Sequence, residues 1–460
     1  SANDATITLG TTSNAFTGAL LITTNDSGSD TAGDVSIHGG TTALVIGDST
    51  VDGDLTLTST ATGSAAMTDT GTLNIRGSTT VSASGADVTL NTTTNNFQGA
   101  VAIDGVNVVV VITNDIDLAA STVTGNYTLT AGGSVTDSGA LAITGVTTIN
   151  ASSGNVTLNT TTNNFQGAVK IDGVNVTVVD AGAIDLGAST VTGAYAVTAS
   201  AGGDITDSGV LAITGAATFT AGNGRSIYLD GANTFSNTVA FSSGGTLANV
   251  TISDSNDLDF AALTLSGNLI ATSTGGSITD SGVLAITGVT TVDASSGNVT
   301  LNTATNNFQG AVKIDGVNVT VVDAGAIDLG ASTVTGAYAV TATAGGNITD
   351  SGVLAITGVA TFTVANGQSI YLDNANTFSN TVAFSSGGTL ANVTISDSSD
   401  FDLAALTLSG NLIATSTGGS ITDSGALGIS GTSSFTTSAS NKDITLDTTN
   451  NAFAGAVTLN

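Results

Sequence analysis

The sequence predicts an all-β protein, a parallel β-helix (β-solenoid) with three strands per coil, and three observations carry that prediction. Residues 151–293 recur almost letter for letter as residues 294–436, a shift of 143. Within each copy, apolar residues alternate with polar ones in short runs bounded by Gly, Asp, Asn or Ser, the signature of strands and turns. Helix formers are scarce: there are five Lys and Arg together and no glutamate, while β-branched residues, Asn and Ser abound. Such a chain has 40% hydrophobic residues in ordered alternation, so it buries surface that a disordered low-complexity chain lacks.

Three landmarks recur in fixed order inside a shorter repeat of about 70 residues. The first is Asn-x-Phe followed by a small residue and Val or Leu, at Phe16, Phe97, Phe165, Phe235, Phe308, Phe378 and Phe453. The second is Asp-(Leu/Phe)-(Ala/Gly)-Ala-x-Thr, at Asp117, Asp185, Asp259, Asp328 and Asp402. The third is Thr-Asp-(Ser/Thr)-Gly, at Asp69, Asp137, Asp207, Asp280, Asp350 and Asp423. Each interval between landmarks matches one coil, so a unit spans three coils, and about 23 residues per coil gives about 20 coils. The units run approximately 16–96, 97–164, 165–234, 235–307, 308–377 and 378–452, with 453–460 starting another, in one continuous solenoid over 1–460.

Within an interval, VNVTVVD places Val174, Val176 and Val178 inward and Asn175, Thr177 and Val179 outward; Val169 and Ile171 flank an outward Lys170. Strands that stack on their equivalents one coil later run parallel, and the coil is expected to be right-handed because parallel crossovers nearly always are. A row of separate β-sandwich domains is disfavoured, because the intervals vary by a few residues, which a coil absorbs at a turn.

Composition also excludes function classes. The formal net charge is -30, which makes nucleic acid an improbable partner. Every acid being Asp suggests turns, since Asp bonds local backbone amides. No cysteine is present, so disulfides and thiolate sites are absent. There is no apolar run long enough to span a membrane and no signal peptide at the N-terminus; an exported chain would already have lost it.

The seven Phe residues are expected to be core register pins. His38 is the only histidine and has no counterpart in later repeats, and Arg225 becomes Gln368 in the next copy while Lys170 returns as Lys313. No catalytic residue and no cofactor is therefore assigned. The strongest chemical lead is a set of aspartate pairs one coil apart: Asp117 with Asp137, Asp185 with Asp207, Asp259 with Asp280, Asp328 with Asp350, and Asp402 with Asp423. Stacked at one corner about 5 Å apart, two bare carboxylates in water repel by roughly 0.9 kcal/mol, so no metal is required. Turn formation is the default role. Calcium is the alternative, since it takes all-oxygen ligands, although no glycine-rich nonapeptide or EF-hand loop is present. The Asn-x-Ser/Thr sequons, such as Asn155 and Asn318, follow from composition, and Thr56-x-Thr58 does not recur at one point of each coil.

Stretches such as ITDSGVLAITG (205–215 and 278–288), AIDLGASTVTGAYAVTA and NNFQGAV resemble the repeats of very large filamentous-haemagglutinin-like exoproteins, exported by two-partner secretion or related routes. The resemblance covers nearly the whole chain and implies a secreted or surface-anchored β-helical adhesin or fibre. The family's N-terminal secretion domain with its Asn-Pro motif is not matched, since the chain has no proline.

Residues 7–16 (ITLGTTSNAF) and 444–453 (ITLDTTNNAF) share one phase, so another repeat would begin where the chain stops. The expected partner is therefore another copy, stacked head to tail, or the rest of a longer chain; a host-surface or matrix polysaccharide is a further expected partner. The preferred expectation is an extracellular or cell-surface structural filament or adhesin stalk. A calcium-dependent surface-layer or matrix protein comes second, and a β-helical polysaccharide enzyme third.

Overall fold

The computed structural model describes residues 2–3, 5–25 and 32–460. The chain divides into two compact units, residues 1–234 and 235–460, each a stack of parallel strands. All registered strand pairings among the described residues are parallel and no helix occurs among them, which excludes a row of antiparallel sandwich domains.

In the first unit, one long sheet stacks strands from Ile7–Leu9 to Ala217–Ala221, and a second runs from Leu44–Ile46 to Ile227–Phe235. A third wall is shorter, as in the three-stranded sheet Ser121–Val123, Leu141–Ile143 and Asn164–Phe165. Paired residues lie one coil apart in sequence. That distance is 17 residues from Val169 to Leu186 and 24 from Ser433 to Val457 in the second unit; most coils are thus shorter than 23 residues.

The alternation assigns the walls. In Val176–Asp180, residues Val176, Val178 and Asp180 are buried while Thr177 and Val179 are partly exposed; Val169 and Ile171 point in and Lys170 points out. Val174 departs from expectation, being only partly buried, because it sits in the corner between two strands rather than on a wall. Of the seven Phe expected in the core, Phe97, Phe165, Phe235, Phe308 and Phe378 are each at most 1% exposed, whereas Phe16 and Phe453 are only partly buried. Each fully buried ring contributes about 1.5–3 kcal/mol of burial.

The repeat unit holds three and a half coils rather than three. Three coils of three strands follow one another: Ile116–Leu118, Ser121–Val123, Tyr127–Ala131; then Val135–Asp137, Leu141–Ile143, Thr147–Ala151; then Val156–Leu158, Asn164–Phe165, Val169–Gly173. A single strand, Val176–Asp180, then stands alone before the next unit opens with Ile184–Leu186. This half coil moves the motif across the core: Ile116–Leu118 lies in one long sheet, and its counterpart Ile184–Leu186 lies in the other. The second unit repeats the exchange. Leu258–Phe260 and Phe401–Leu403 share one sheet, whereas Ile327–Leu329 between them lies in the opposite one. Two units of three and a half coils make a whole number, which is why only the 143-residue shift returns a motif to the same wall.

Glycines mark where successive coils touch. A Cβ on Gly145 would lie 2.5 Å from the Gly125 carbonyl oxygen, and one on Gly167 would lie 2.4 Å from the Gly145 oxygen. The corner after each Ile-Thr-Gly run therefore closes only over glycine.

Candidate functional site

The structure separates the aspartate pairs expected to stack. Asp117 sits opposite Thr136, and Asp137 sits opposite Leu118, one position further along the strand. Neighbouring residues of a strand face opposite sides, so Asp137 points to the core side and Asp117 outward. The same register separates Asp185 from Asp207, Asp259 from Asp280, Asp328 from Asp350 and Asp402 from Asp423. The two carboxylates of a pair therefore do not converge on a shared cation, and no group of three or more potential metal-binding side chains forms among the described residues.

Instead, the third landmark binds the first. The carboxylate of Asp137 accepts the Asn163 Nδ2–H at 2.6 Å and the Asn159 backbone N–H at 2.8 Å. Asn163 Oδ1 in turn accepts the Leu141 N–H at 2.8 Å, one coil back, and the Asn163 carbonyl accepts the Ala181 N–H of the following coil. One buried asparagine thereby ties three coils. The clamp recurs as Asp69 with Asn95, Asp207 with Asn233, Asp280 with Asn306, Asp350 with Asn376 and Asp423 with Asn451, at 2.6–2.7 Å. Asn95, Asn163, Asn233, Asn306 and Asn376 are fully buried, where an unmatched amide would cost about 1–3 kcal/mol.

The outward aspartates bind the hydroxyls of the same landmark. The Ser208 hydroxyl donates to Asp185 at 2.7 Å, Ser351 to Asp328 at 2.7 Å and Ser281 to Asp259 at 2.8 Å. Asp402 accepts from Ser424 and from Thr381, and the Thr136 hydroxyl approaches Asp117 at 3.4 Å. Thr-Asp-Ser-Gly is thus a two-sided clip, its Asp gripping the core side and its Ser the outer side.

A second aspartate set closes four of the half coils. Asp180, Asp254, Asp323 and Asp397 are fully buried. The third-wall strand ending at Phe165 has no strand stacked on it, because the half coil lacks a third wall. Asp180 replaces the missing ladder partner by accepting the Phe165 N–H at 2.6 Å and the Gly182 N–H at 2.5 Å. Asp323 and Asp397 bind the Phe308 and Phe378 N–H groups at 2.7 Å, and Asp254 binds that of Phe235. In the unit 97–164 Ile112 stands at this position, and Asn114 Nδ2 donates to the Phe97 carbonyl instead. The only sequence trace of this set is an Asp at an inward position of Val-Thr-(Val/Ile)-(Val/Ser)-Asp.

Burial raises the carboxyl of Asp254 to about 6 against backbone hydrogen bonds that oppose the shift. Asp180, Asp323 and Asp397 are raised by the same cause, as are Asp207 and Asp350 in the clamps. At the corners, short side chains continue the ladder. The Ser134 N–H donates to Asp115, Asn155 N–H to the Ser134 hydroxyl, Asn175 N–H to Asn155 Oδ1 and Ala194 N–H to Asn175 Oδ1. The second unit repeats it from Asp257 through Ser277, Asn298 and Asn318 to Ala337. His38 Nδ1 accepts the Gly40 N–H at 3.0 Å.

Replacing Asn306 by alanine strands the Leu284 N–H in the core and removes one of the three donors to the Asp280 carboxylate, which keeps the Asn302 and Thr303 N–H groups. The expected loss is about 1–3 kcal/mol, the cost of one buried unsatisfied N–H. Hydrogen exchange of the Leu284 amide reads it directly, and unchanged protection there would refute the clamp.

No curated protein and no solved structure matches the chain. One family profile, described as repeats of unknown function (DUF5649), matches six times in succession: residues 32–104, 105–172, 173–242, 247–315, 316–385 and 390–460. The second, third and fifth segments begin just before a half-coil strand, at Val108–Ile112, Val176–Asp180 and Val319–Asp323. The family's unit is thus one half coil followed by three whole ones. With nearly all of its length matched in this way, the chain belongs to the DUF5649 repeat family and is a repetitive β-helical protein.

Proposed function

We propose that the chain is a non-enzymatic structural segment of an extracellular or cell-surface fibre or adhesin stalk, its partners being further β-helical segments, either copies of itself or the rest of a longer chain. One observation carries this reading. The aspartate, asparagine and serine side chains available for chemistry bind one another across adjacent coils and the backbone of those coils instead, and they do so in the same pattern in copy after copy. A reacting site requires a constellation that differs from its surroundings, whereas identical clamps yield a uniform wall. The likeness of the Ile-Thr-Asp-Ser-Gly and Asn-Asn-Phe-Gln-Gly stretches to filamentous-haemagglutinin-like exoproteins supports an exported location.

Electron microscopy of the purified chain is expected to show extended particles, and protease treatment of intact source cells to release its peptides. Compact round particles, or protein confined to the cell interior, would overturn the proposal. Thermal unfolding is expected to be unchanged by EDTA; a marked loss of stability on chelation would favour the calcium-dependent matrix reading instead.

A further inference from the structure

We propose that the outer third wall of the first unit, around Thr50, Asn74 and Asn96, is a groove that binds an extended neutral glycan. The wall is built from Ser49–Val51, Leu73–Ile75 and Asn96–Phe97. Register aligns Thr50 with Asn74 and Asn74 with Asn96, and Thr23 bridges to Thr50. The result is one outward column of hydroxyls and amides. A second column, Asp48, Thr72 and Thr94, runs beside it, with Asp48 accepting the Thr72 N–H at 2.8 Å and the two threonine hydroxyls bonded at 2.5 Å. Together these columns line a concavity of about 720 Å³.

This polarity breaks the repeat. The stretch reads Gly71-Thr72-Leu73-Asn74-Ile75 here, but Gly282-Val283-Leu284-Ala285-Ile286 and Gly352-Val353-Leu354-Ala355-Ile356 in later units. The buried Leu and Ile are kept in each, so the core does not call for the change; only the two outward positions turn from apolar to hydrogen-bonding. Asn96 Nδ2 donates to Asn74 Oδ1 at 2.9 Å, which leaves Asn74 Nδ2 and Asn96 Oδ1, one donor and one acceptor, without a partner among the described residues.

The chemistry of the lining selects the ligand. Its side chains are uncharged hydroxyls and amides apart from Asp48, with no cation among them, and the net charge of -30 repels polyanions. A neutral polyol offers matching donors and acceptors. Strands stack at about 4.8 Å, close to the advance per residue of an extended β-linked glycan, so successive sugars meet successive coils in one register. No aromatic ring lines the groove, so binding is weak per sugar and depends on chain length.

The test compares the full chain with a T72V/N74A variant, which carries the residues found natively at 283 and 285 and therefore keeps the fold. Affinity electrophoresis in gels containing hydroxyethylcellulose, with titration of cellohexaose by NMR, is expected to show binding by the unmodified chain. The variant should bind about five- to tenfold more weakly, the equivalent of losing one to two hydrogen bonds. Equal retardation of both proteins, no retardation of either, or preference for a sulfated glycan would each overturn the proposal. None of these outcomes bears on the fibre reading, which is tested by particle shape and location.

Discussion

Replacing Phe362 by alanine is expected to destabilise its part of the second unit by about 3–5 kcal/mol, the usual cost of deleting a buried ring. Phe362 is fully buried and meets three other rings. Tyr338 and Phe378 approach edge-on at 5.9 and 6.1 Å, and Phe384 stacks at 5.9 Å. Tyr338–Ala342, Ala360–Val364 and Val382–Ser386 are successive strands of one sheet, so the cavity would open across three coils. Stability in a solenoid is approximately a sum of local and nearest-neighbour terms, so the loss should stay local. Hydrogen exchange should accelerate in these three strands and leave Val250–Asp254 unchanged. Uniform exchange, or no change at Tyr338–Ala342, would show that the rings do not hold these coils together.

The second large effect concerns pH. Asp254 binds its proton up to about pH 6 in the folded chain, against an ordinary value of 3.8, because burial disfavours the charged carboxylate. Between those values the folded state holds more protons than the unfolded one, so stability falls as pH rises through this window and stays low above it. The carboxyls of Asp180, Asp207, Asp323, Asp350 and Asp397 are displaced in the same direction by burial. The chain should therefore be more stable at pH 5 than at pH 8. For Asp254 alone the shift corresponds to roughly 3 kcal/mol as an upper bound. Relief of repulsion in a chain of net charge -30 acts in the same sense. Thermal unfolding at fixed salt measures the difference, and Asp254→Asn should flatten it. A melting temperature that rises from pH 5 to pH 8 would contradict the burial of these groups as ionisable partners of backbone N–H.

Particular residues show how much was legible. The inward row Val176 and Val178, the outward Lys170 and the buried Phe165 followed from period-two alternation, because a wall with one buried face leaves no other register. The aspartate pairs did not follow. A spacing of about one coil fixes height along the stack but not the side of the strand, and a one-residue offset turned Asp117 and Asp137 to opposite faces. The bond from Asp137 to Asn163, 26 residues on, joined two landmarks that sequence reading had kept apart. Asp180 carried no signal beyond its inward position, since its role is set by a strand that is missing above Phe165.

The sequence by itself determined the all-β class, the parallel stacking and the repeat lengths, because alternation and periodicity are properties of the chain alone. Only the tertiary structure decided which wall each strand joins. A repeat of three and a half coils reads the same as one of three or four until strands are paired, and the half coil moves every motif to the opposite sheet. Backbone N–H groups left without a strand partner at that step are what place the buried aspartates.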